Sequence, residues 1–221
     1  MPIKREKLPK IITPIGVAVF PRISVPDTKY KPEGEYSTKL RLPAGDPSTQ
    51  KLVEQIDAFY EEAYEVECLD KGANGKPRKL KRADKPYKTA TEKDRETGEI
   101  VEIPGKLDFT AKRKAGGTTK NGQAWTAKIG LFDSQQNPQP LKADVWGGSE
   151  VRLQVTLVPW YSDSFGFGVR LELQAVQVVK LVTKGGLMTA EQYGFGGIEG
   201  GYVGEGETPA TDNIFVGHRT S

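Results

Sequence analysis

The sequence predicts an α+β protein that is mainly β, with one long helix inserted between strands. Apolar and polar residues alternate at several places, most regularly over residues 150–158 and 167–181. A period of two is typical of strands that bury one face. Between residues 46 and 68, apolar residues instead recur at three- and four-residue spacing, which is a helical period. Glycine and proline separate these segments, and the combination indicates an antiparallel barrel that carries a helix.

Alternation and prolines place the strands one by one. The first strand is predicted over residues 11–20, interrupted early by Pro14. A loop then holds three prolines, because proline cannot donate a ladder hydrogen bond: Pro21, Pro26 and Pro32. The remaining strands are predicted at residues 36–42, 107–111, 124–133, 150–158 and 167–181.

The helix is predicted from its start and from its apolar face. Asp46 can cap the first turn, and Pro47 fits the first helical position. We expect the helix to reach about Cys68, with that cysteine partly buried near its end. The apolar face consists of Leu52, Val53, Ile56, Phe59, Tyr60 and Ala63, and the opposite stripe, which we expect to be solvated, of Glu54, Asp57, Glu61 and Glu65.

Two segments are expected to lie outside the core. Residues 71–105 are polar and rich in proline and glycine, so we expect a long basic excursion rather than a core element. Residues 185–206 hold nine glycines, and no core can form there. The sequence therefore predicts one domain over residues 1–184 and a flexible glycine-rich tail over residues 185–221.

The strand count agrees with a five-stranded oligonucleotide-binding (OB) barrel. A β-sandwich would satisfy the same periodicity, so the alternation alone leaves both architectures open.

Composition argues against several classes of protein. Only 36% of the residues are hydrophobic, and the longest mostly apolar run, residues 11–20, is too short to span a bilayer. The basic N-terminus lacks an apolar signal-peptide stretch, so we expect neither a membrane protein nor Sec secretion. A single cysteine, Cys68, and a single histidine, His218, argue against a disulfide framework, a zinc site and a catalytic triad. We therefore expect no enzyme, no metal and no cofactor, and a metal-dependent nuclease is disfavoured because the helix carboxylates lie on the solvated stripe.

The net charge of +3 hides a strong segregation of charge along the chain. Residues 46–70 carry a net charge of −7, residues 71–95 carry +7, and residues 106–128 carry +5. Basic segments that flank the same strands can form a groove that attracts a polyphosphate through counterion release. For any one of these runs, a solvated loop remains the simple alternative.

Aromatic residues lie among these bases. Trp125 stands between Lys120 and Lys128. Proteins that bind single strands need flat side chains for base stacking beside cations that follow the backbone. The candidate stacking residues are Trp160, Tyr161, Phe165 and Trp125, although core packing is the alternative for Trp125, Trp160 and Tyr161. The candidate backbone-binding residues are Lys79, Lys81, Arg82, Lys112, Arg113, Lys114 and Arg152.

Three segments of the chain form an ordered set of motifs. Residues 39–64 hold a predicted strand, an Asp-Pro pair and a predicted helix; residues 147–161 begin with Gly-Gly-Ser and end with Val-Pro-Trp-Tyr; residues 168–181 are a predicted closing strand that is followed by Gly185-Gly186. In this order and spacing the segments resemble the T-seven-type bacteriophage single-stranded DNA-binding proteins. The resemblance implies an OB barrel with an inserted helix that coats single-stranded DNA during replication, recombination and repair. It also implies self-association as a dimer or larger assembly, contacts with phage replication proteins, and a place in the cytoplasm of the infected bacterial host.

The same resemblance assigns part of the site. The family carries an aromatic-x-aromatic element after Val-Pro, whose first aromatic matches Trp160 and whose second position falls on Ser162. Tyr161 or Phe165 is therefore the candidate for a second platform. Family bases fall near Lys81, Arg82 and Lys112, whereas the C-terminus here is only mildly acidic.

Two other functions fit the same sequence. A strand-annealing recombination protein would share the basic surface and also hold duplex DNA or RNA, and a virion structural protein could use a β-sandwich.

Overall fold

Ten strands and one helix form the described part of this computed structural model, which covers residues 7–71, 76–94, 96–136 and 144–182. The helix α1 spans Pro47–Asp70. The strands are β1 (Lys10–Ile12), β2 (Gly16–Asp27), β3 (Glu35–Pro43), β4 (Tyr87–Lys93), β5 (Ile100–Lys114), β6 (Gly116–Thr118), β7 (Ala124–Thr126), β8 (Gly130–Phe132), β9 (Glu150–Ser162) and β10 (Gly166–Lys180).

Eight of these strands belong to one sheet, in the order β1-β9-β2-β3-β5-β10-β8, with β4 paired to β5. Strand β9 pairs antiparallel with β10 along most of its length and also with β2, where Val151 lies opposite Gly16. Strands β5 and β10 run parallel, with Ala111 opposite Leu171. The pairings of β2, β3, β5, β10 and β9 therefore lead back to β2, while β6 and β7 form a separate hairpin.

The core lies on the inner face of these strands. The predicted alternation of β9 holds, since Val151, Leu153, Val155 and Leu157 are all buried. Leu171 and Leu173 of β10 pair with the same strand and are buried as well. Thr156 and Glu172 are buried as well, so the alternation of exposure is not complete on either strand.

Helix α1 covers one side of this core. The Asp46 side chain accepts hydrogen bonds from the backbone N–H groups of Ser48 and Thr49, at 2.8 and 3.2 Å, as its capping role predicts. The Tyr60 ring meets the Phe167 ring edge-on at 5.3 Å, and its hydroxyl donates to the Phe167 carbonyl at 3.1 Å. No helix of the described residues combines the length and apolar character that a membrane span needs.

The expected excursion over residues 71–105 is partly wrong. Strand β4 and the first part of β5 form a long hairpin inside this range, and Ala90 of β4 is fully buried. Most of the hairpin's other side chains are exposed or half-buried, so it lacks the apolar alternation that would have revealed it. Residues 72–75 and 95 lie outside the described residues.

Strand β2 runs through two prolines that were expected in a loop. Pro21 and Pro26 lie within it, and the pairing with β3 shifts register on each side of Arg22. A register shift leaves backbone N–H groups out of the ladder, which is where proline is tolerated. Phe20, just before Pro21, has φ +50°, a left-handed conformation that costs a non-glycine residue about 1–3 kcal/mol.

Other predicted strands differ in extent. Residues 11–20 form β1 and part of β2 because Pro14 lies in a break between them, and residues 124–133 are divided between β7 and β8. The strand predicted at residues 107–111 is the central part of the much longer β5. The predicted tail over residues 185–221, including His218, lies outside the described residues.

Candidate nucleic-acid interface

An open groove of about 870 Å³ lies beside β5, β9 and β10. Five cationic side chains line it together with two carboxylates and two tryptophans. The cations are Lys31, Lys112, Arg113, Lys114 and Arg170, the carboxylates are Glu35 and Glu172, and the tryptophans are Trp125 and Trp160. The groove therefore brings together five of the residues that the sequence singled out.

Trp160 lies near the end of β9, directly opposite Gly168 on β10. A Cβ atom on Gly168 would stand 2.6 Å from Cζ2 of the indole, closer than any real contact. The absence of a side chain on Gly168 is what allows the ring to occupy this position.

Trp125 repeats the arrangement on the small hairpin. It lies opposite Gly117 across the β6–β7 pair, where a Cβ atom would stand 3.1 Å from its Cζ2. Its side chain is 38% exposed, so the structure does not place it in the core. Both groove tryptophans thus rest against the backbone of a glycine on a neighbouring strand.

The cations reach the groove from three elements. Lys112 of β5 pairs with Glu172 of β10, and Arg170 stands two residues before Glu172, so these side chains share a face of the sheet. Arg113 donates to the Gln174 side chain. Lys114 is exposed and stands opposite Glu35 of β3.

Two carboxylates hold some of these cations in place. Glu35 accepts a hydrogen bond from Lys31, and its Oε1 lies 3.5 Å from the Lys112 ammonium. Burial alone would raise the pKa of Glu35, but the Lys31 hydrogen bond and the Lys112 charge outweigh it, so the pKa is lowered. Glu172 is buried and lies 3.5 Å from the Arg170 guanidinium. The groove is therefore cationic with its own internal counter-charges.

The two candidates for a second platform lie outside the groove lining. Tyr161 pairs with the buried Phe167, on the opposite face of β9 from Trp160, because successive strand residues point to opposite faces. Its hydroxyl donates to Asp163 at 2.9 Å. Phe165 is 66% exposed in the turn between β9 and β10.

Lys79, Lys81 and Arg82 lie on the segment after α1 and are not part of the groove lining. Both terminal nitrogens of Arg82 donate to the Glu61 carboxylate, at 2.6 and 2.7 Å, and the guanidinium stands 3.9 Å from the Tyr64 ring centroid. The hydrogen bonds from Arg82 lower the pKa of Glu61.

The helix stripe is exposed at Glu61, as expected, although that carboxylate is ion-paired, whereas Asp57 is half-buried. Asp57 accepts hydrogen bonds from Lys85 at 2.7 Å and from the Tyr87 hydroxyl at 2.8 Å. The oppositely charged segment that follows the helix folds back and supplies these partners.

Arg152 lies at the other end of β9. It donates to the Gln177 side chain at 2.7 Å and precedes Trp160 by eight residues. Eight residues of extended strand span about 26 Å. The structure thus separates Arg152 from the tryptophan groove.

Sequence reasoning missed four charged groove residues: Lys31, Glu35, Arg170 and Glu172. Arg170 could have been placed from the register of the β9–β10 turn. Ser162 pairs with Gly166, and each further pair lies one residue back along β9 and one residue forward along β10. Lys31 lies in the connection between β2 and β3, where no periodicity exists to place a side chain.

Aromatic rings beside cations along one open groove are typical of proteins that bind single-stranded nucleic acids. A family model described as "Single-stranded DNA-binding protein, Bacteriophage T7" matches residues 16–181. The chain belongs to this family.

Individual relatives agree with this assignment. The single-stranded DNA-binding protein of Escherichia phage T7 is 30% identical over 183 residues, covering 81% of this chain and 75% of the relative. That of Enterobacteria phage T3 is 31% identical over 158 residues, covering 70% and 66%. The crystal structure of gp2.5, a single-stranded DNA binding protein encoded by bacteriophage T7, superposes with a TM-score of 0.64 at 26% identity, covering 79% of this chain and 93% of that one. The mainly β fold with one helix matches the gp2.5 fold.

Proposed function

We propose that this protein binds single-stranded DNA, largely independent of sequence, in the groove that holds Trp125 and Trp160. The observation that carries the proposal is that both tryptophans stand among five cations in one open groove. Bases would stack on the indole rings, a contact worth about 1–3 kcal/mol per base whatever the base is. The lysines and arginines would follow the phosphates and release counterions.

We also propose that β2, β3, β5, β10 and β9 form a closed five-stranded OB barrel. The return of the pairings from β9 to β2 and the parallel contact between β5 and β10 support this architecture. In an OB barrel, the face of the second and third strands and the neighbouring loops bind the oligonucleotide, and β3 and β5 are the second and third strands of this barrel in chain order.

In the cell, the protein would coat and protect single strands during phage DNA replication, recombination and repair, in the cytoplasm of the infected bacterial host. It would do so without enzymatic activity or a cofactor, as a homodimer or larger assembly that contacts phage replication proteins. Membership of a family with relatives in two phages supports this role.

Replacing Trp160 by alanine tests the proposal. We expect Trp160→Ala to weaken binding to oligo-dT by about fivefold to a hundredfold, because one stacking platform is lost. Fluorescence anisotropy at fixed salt measures this, and a thermal melt verifies the fold. Phe165→Ala is the matched comparison, since Phe165 is an exposed aromatic outside the groove lining.

Unchanged affinity in Trp160→Ala would contradict binding in the groove. A loss of affinity in Phe165→Ala alone would indicate that bases stack at the β9–β10 turn instead. Competition between single- and double-stranded DNA at the same salt distinguishes coating from annealing, because only unpaired bases can stack on the rings.

A further inference from the structure

A second aromatic–cationic cluster surrounds Phe20, in the middle of β2. Phe20 is 78% exposed although it is a large aromatic residue inside a strand. The Lys39 ammonium stands 6.0 Å from its centroid, and the exposed Arg22 follows two residues later.

The backbone turns this ring outward. Val19 lies opposite Lys39, but the next paired residue, Arg22, lies opposite Ser37, so β2 contains one residue more than β3 at this point. Such bulges redirect side chains and are frequent beside functional sites. Phe20 also has φ +50°, a conformation that bulky L residues rarely adopt, and that strain calls for a functional reason.

A hollow of about 430 Å³ lies next to this bulge. Its lining includes Phe20, Arg22, Asp144 and Trp146. The Trp146 side chain is 42% exposed, and its backbone N–H donates to the Val182 carbonyl at 3.0 Å. The hollow thus offers aromatic surfaces beside a guanidinium.

The hollow continues the face of the sheet that carries the groove. Lys39 pairs directly with Thr110, and Ser37 pairs directly with Lys112. Residues directly opposite one another share a face, and both Thr110 and Lys112 line the groove. A DNA strand that leaves the groove and crosses β3 would therefore reach Phe20 on the same face of the sheet.

We propose that this hollow is a second nucleotide subsite, in which a base stacks on Phe20 while Lys39 and Arg22 hold the adjacent phosphates. The proposal rests on the groove binding single-stranded DNA, because it extends the same bound strand. A nucleic acid fits better than an apolar protein segment because Lys39 stands 6.0 Å from the ring centroid, Arg22 lines the hollow, and their pairing partners share the face of the groove.

Phe20→Gly tests the subsite without endangering the fold, since glycine adopts a positive φ at no steric cost. Anisotropy titrations with oligo-dT of graded length would compare the wild type, Phe20→Gly and Trp160→Ala. We expect Phe20→Gly to match the wild type on oligonucleotides that fill only the groove and to bind long ones about fivefold or more weakly. Ile100→Ala is the control, because Ile100 is equally exposed (77%) on the β4–β5 hairpin.

Salt dependence provides a second readout. Arg22→Gln should reduce the magnitude of the slope of log Kobs against log salt by about 0.7 on long oligo-dT, the value for one lost phosphate contact with a single strand. Phe20→Gly should leave this slope unchanged, because it removes no charge.

The outcomes separate the two proposals. If wild-type protein binds no oligo-dT, the groove proposal fails and the subsite fails with it. If Trp160→Ala weakens binding while Phe20→Gly equals the wild type at every length, only the subsite is overturned. A change of mass by light scattering in Phe20→Gly, with DNA affinity intact, would assign the hollow to contacts between protein chains instead.

Discussion

At the scale of single residues, the positions of the two groove tryptophans depend on two glycines that have no side chain. Trp160 and Trp125 each lie opposite a glycine in an antiparallel pair, and in both cases a Cβ atom would stand within about 3 Å of the indole. An aromatic ring across from a glycine covers exposed backbone and gains a defined position. The position of each indole ring therefore depends on the glycine opposite it.

Gly168→Ala should weaken binding to oligo-dT nearly as much as Trp160→Ala, because the new Cβ would stand 2.6 Å from Cζ2 of Trp160 and must displace the ring. Overpacking of this kind also destabilises a protein by about 1–3 kcal/mol, so anisotropy and urea unfolding should both change. The matched control is Gly45→Ala, since a Cβ there meets nothing within 4 Å. Wild-type affinity in Gly168→Ala would show that the indole position does not matter.

At the scale of elements, the acidic helix and the basic segment after it form a pair. Glu61 holds Arg82 and Asp57 holds Lys85, while Ala83 N–H donates to the Phe167 carbonyl at 2.7 Å. The charges that the sequence segregates along the chain thus meet again in the fold. Arg82 and Lys85 form ion pairs with these carboxylates. The cations that line the groove lie instead on β5, β10 and the β2–β3 connection.

Acid should loosen this docked segment before it unfolds the core. The pKa of Glu61 is lowered by Arg82, so its stabilising contribution is complete above the ordinary glutamate pKa of 4.5 and is lost as pH falls through the lower folded value. Hydrogen exchange measured by mass spectrometry should show protection at Ala83 falling with pH while that of β9 persists.

Glu61→Gln should remove most of this pH dependence and lower the protection at Ala83 already at neutral pH. Glu62→Gln, a neighbouring exposed glutamate, should behave like the wild type. Equal pH profiles for wild type and Glu61→Gln would contradict the assigned role of the ion pair.

Local signals in the sequence predicted single helices and strands better than they predicted which strands pair. The Asp46-Pro47 start and the apolar spacing predict α1 to within two residues of its end, because capping and periodicity are local. The β4–β5 hairpin and the strand through Pro21 were missed, because pairing partners and bulges stabilise them rather than an alternating pattern. Trp160 was found from its motif, whereas Arg170 required the β9–β10 register.

At the scale of the whole molecule, the small net charge says little about binding. The total of +3 combines an acidic helix with a groove of five cations and two carboxylates. A polyanion that approaches the groove experiences the local excess of positive charge. The approach of a DNA strand therefore depends on that local field rather than on the net charge of the protein.

The slope of log Kobs against log salt for oligo-dT should reach about −3.5 if all five groove cations contact phosphates, at about 0.7 per contact. Glu35→Gln should raise the affinity at low salt by about two- to fivefold, because Lys31 and Lys112 lose a competing partner. Glu102→Gln, on the exposed β4–β5 hairpin, is the control. A salt-independent affinity would contradict an electrostatic role for the groove.

The parallel contact between β5 and β10 has a consequence for how the protein matures. It joins Ala111 to Leu171, two positions far apart along the chain, and forms a wall of the groove. Distant pairings of this kind close slowly, because much chain entropy is lost before they are stabilised. A chain still leaving the ribosome can therefore form its helix and early hairpins before β10 is available to complete the wall of the groove.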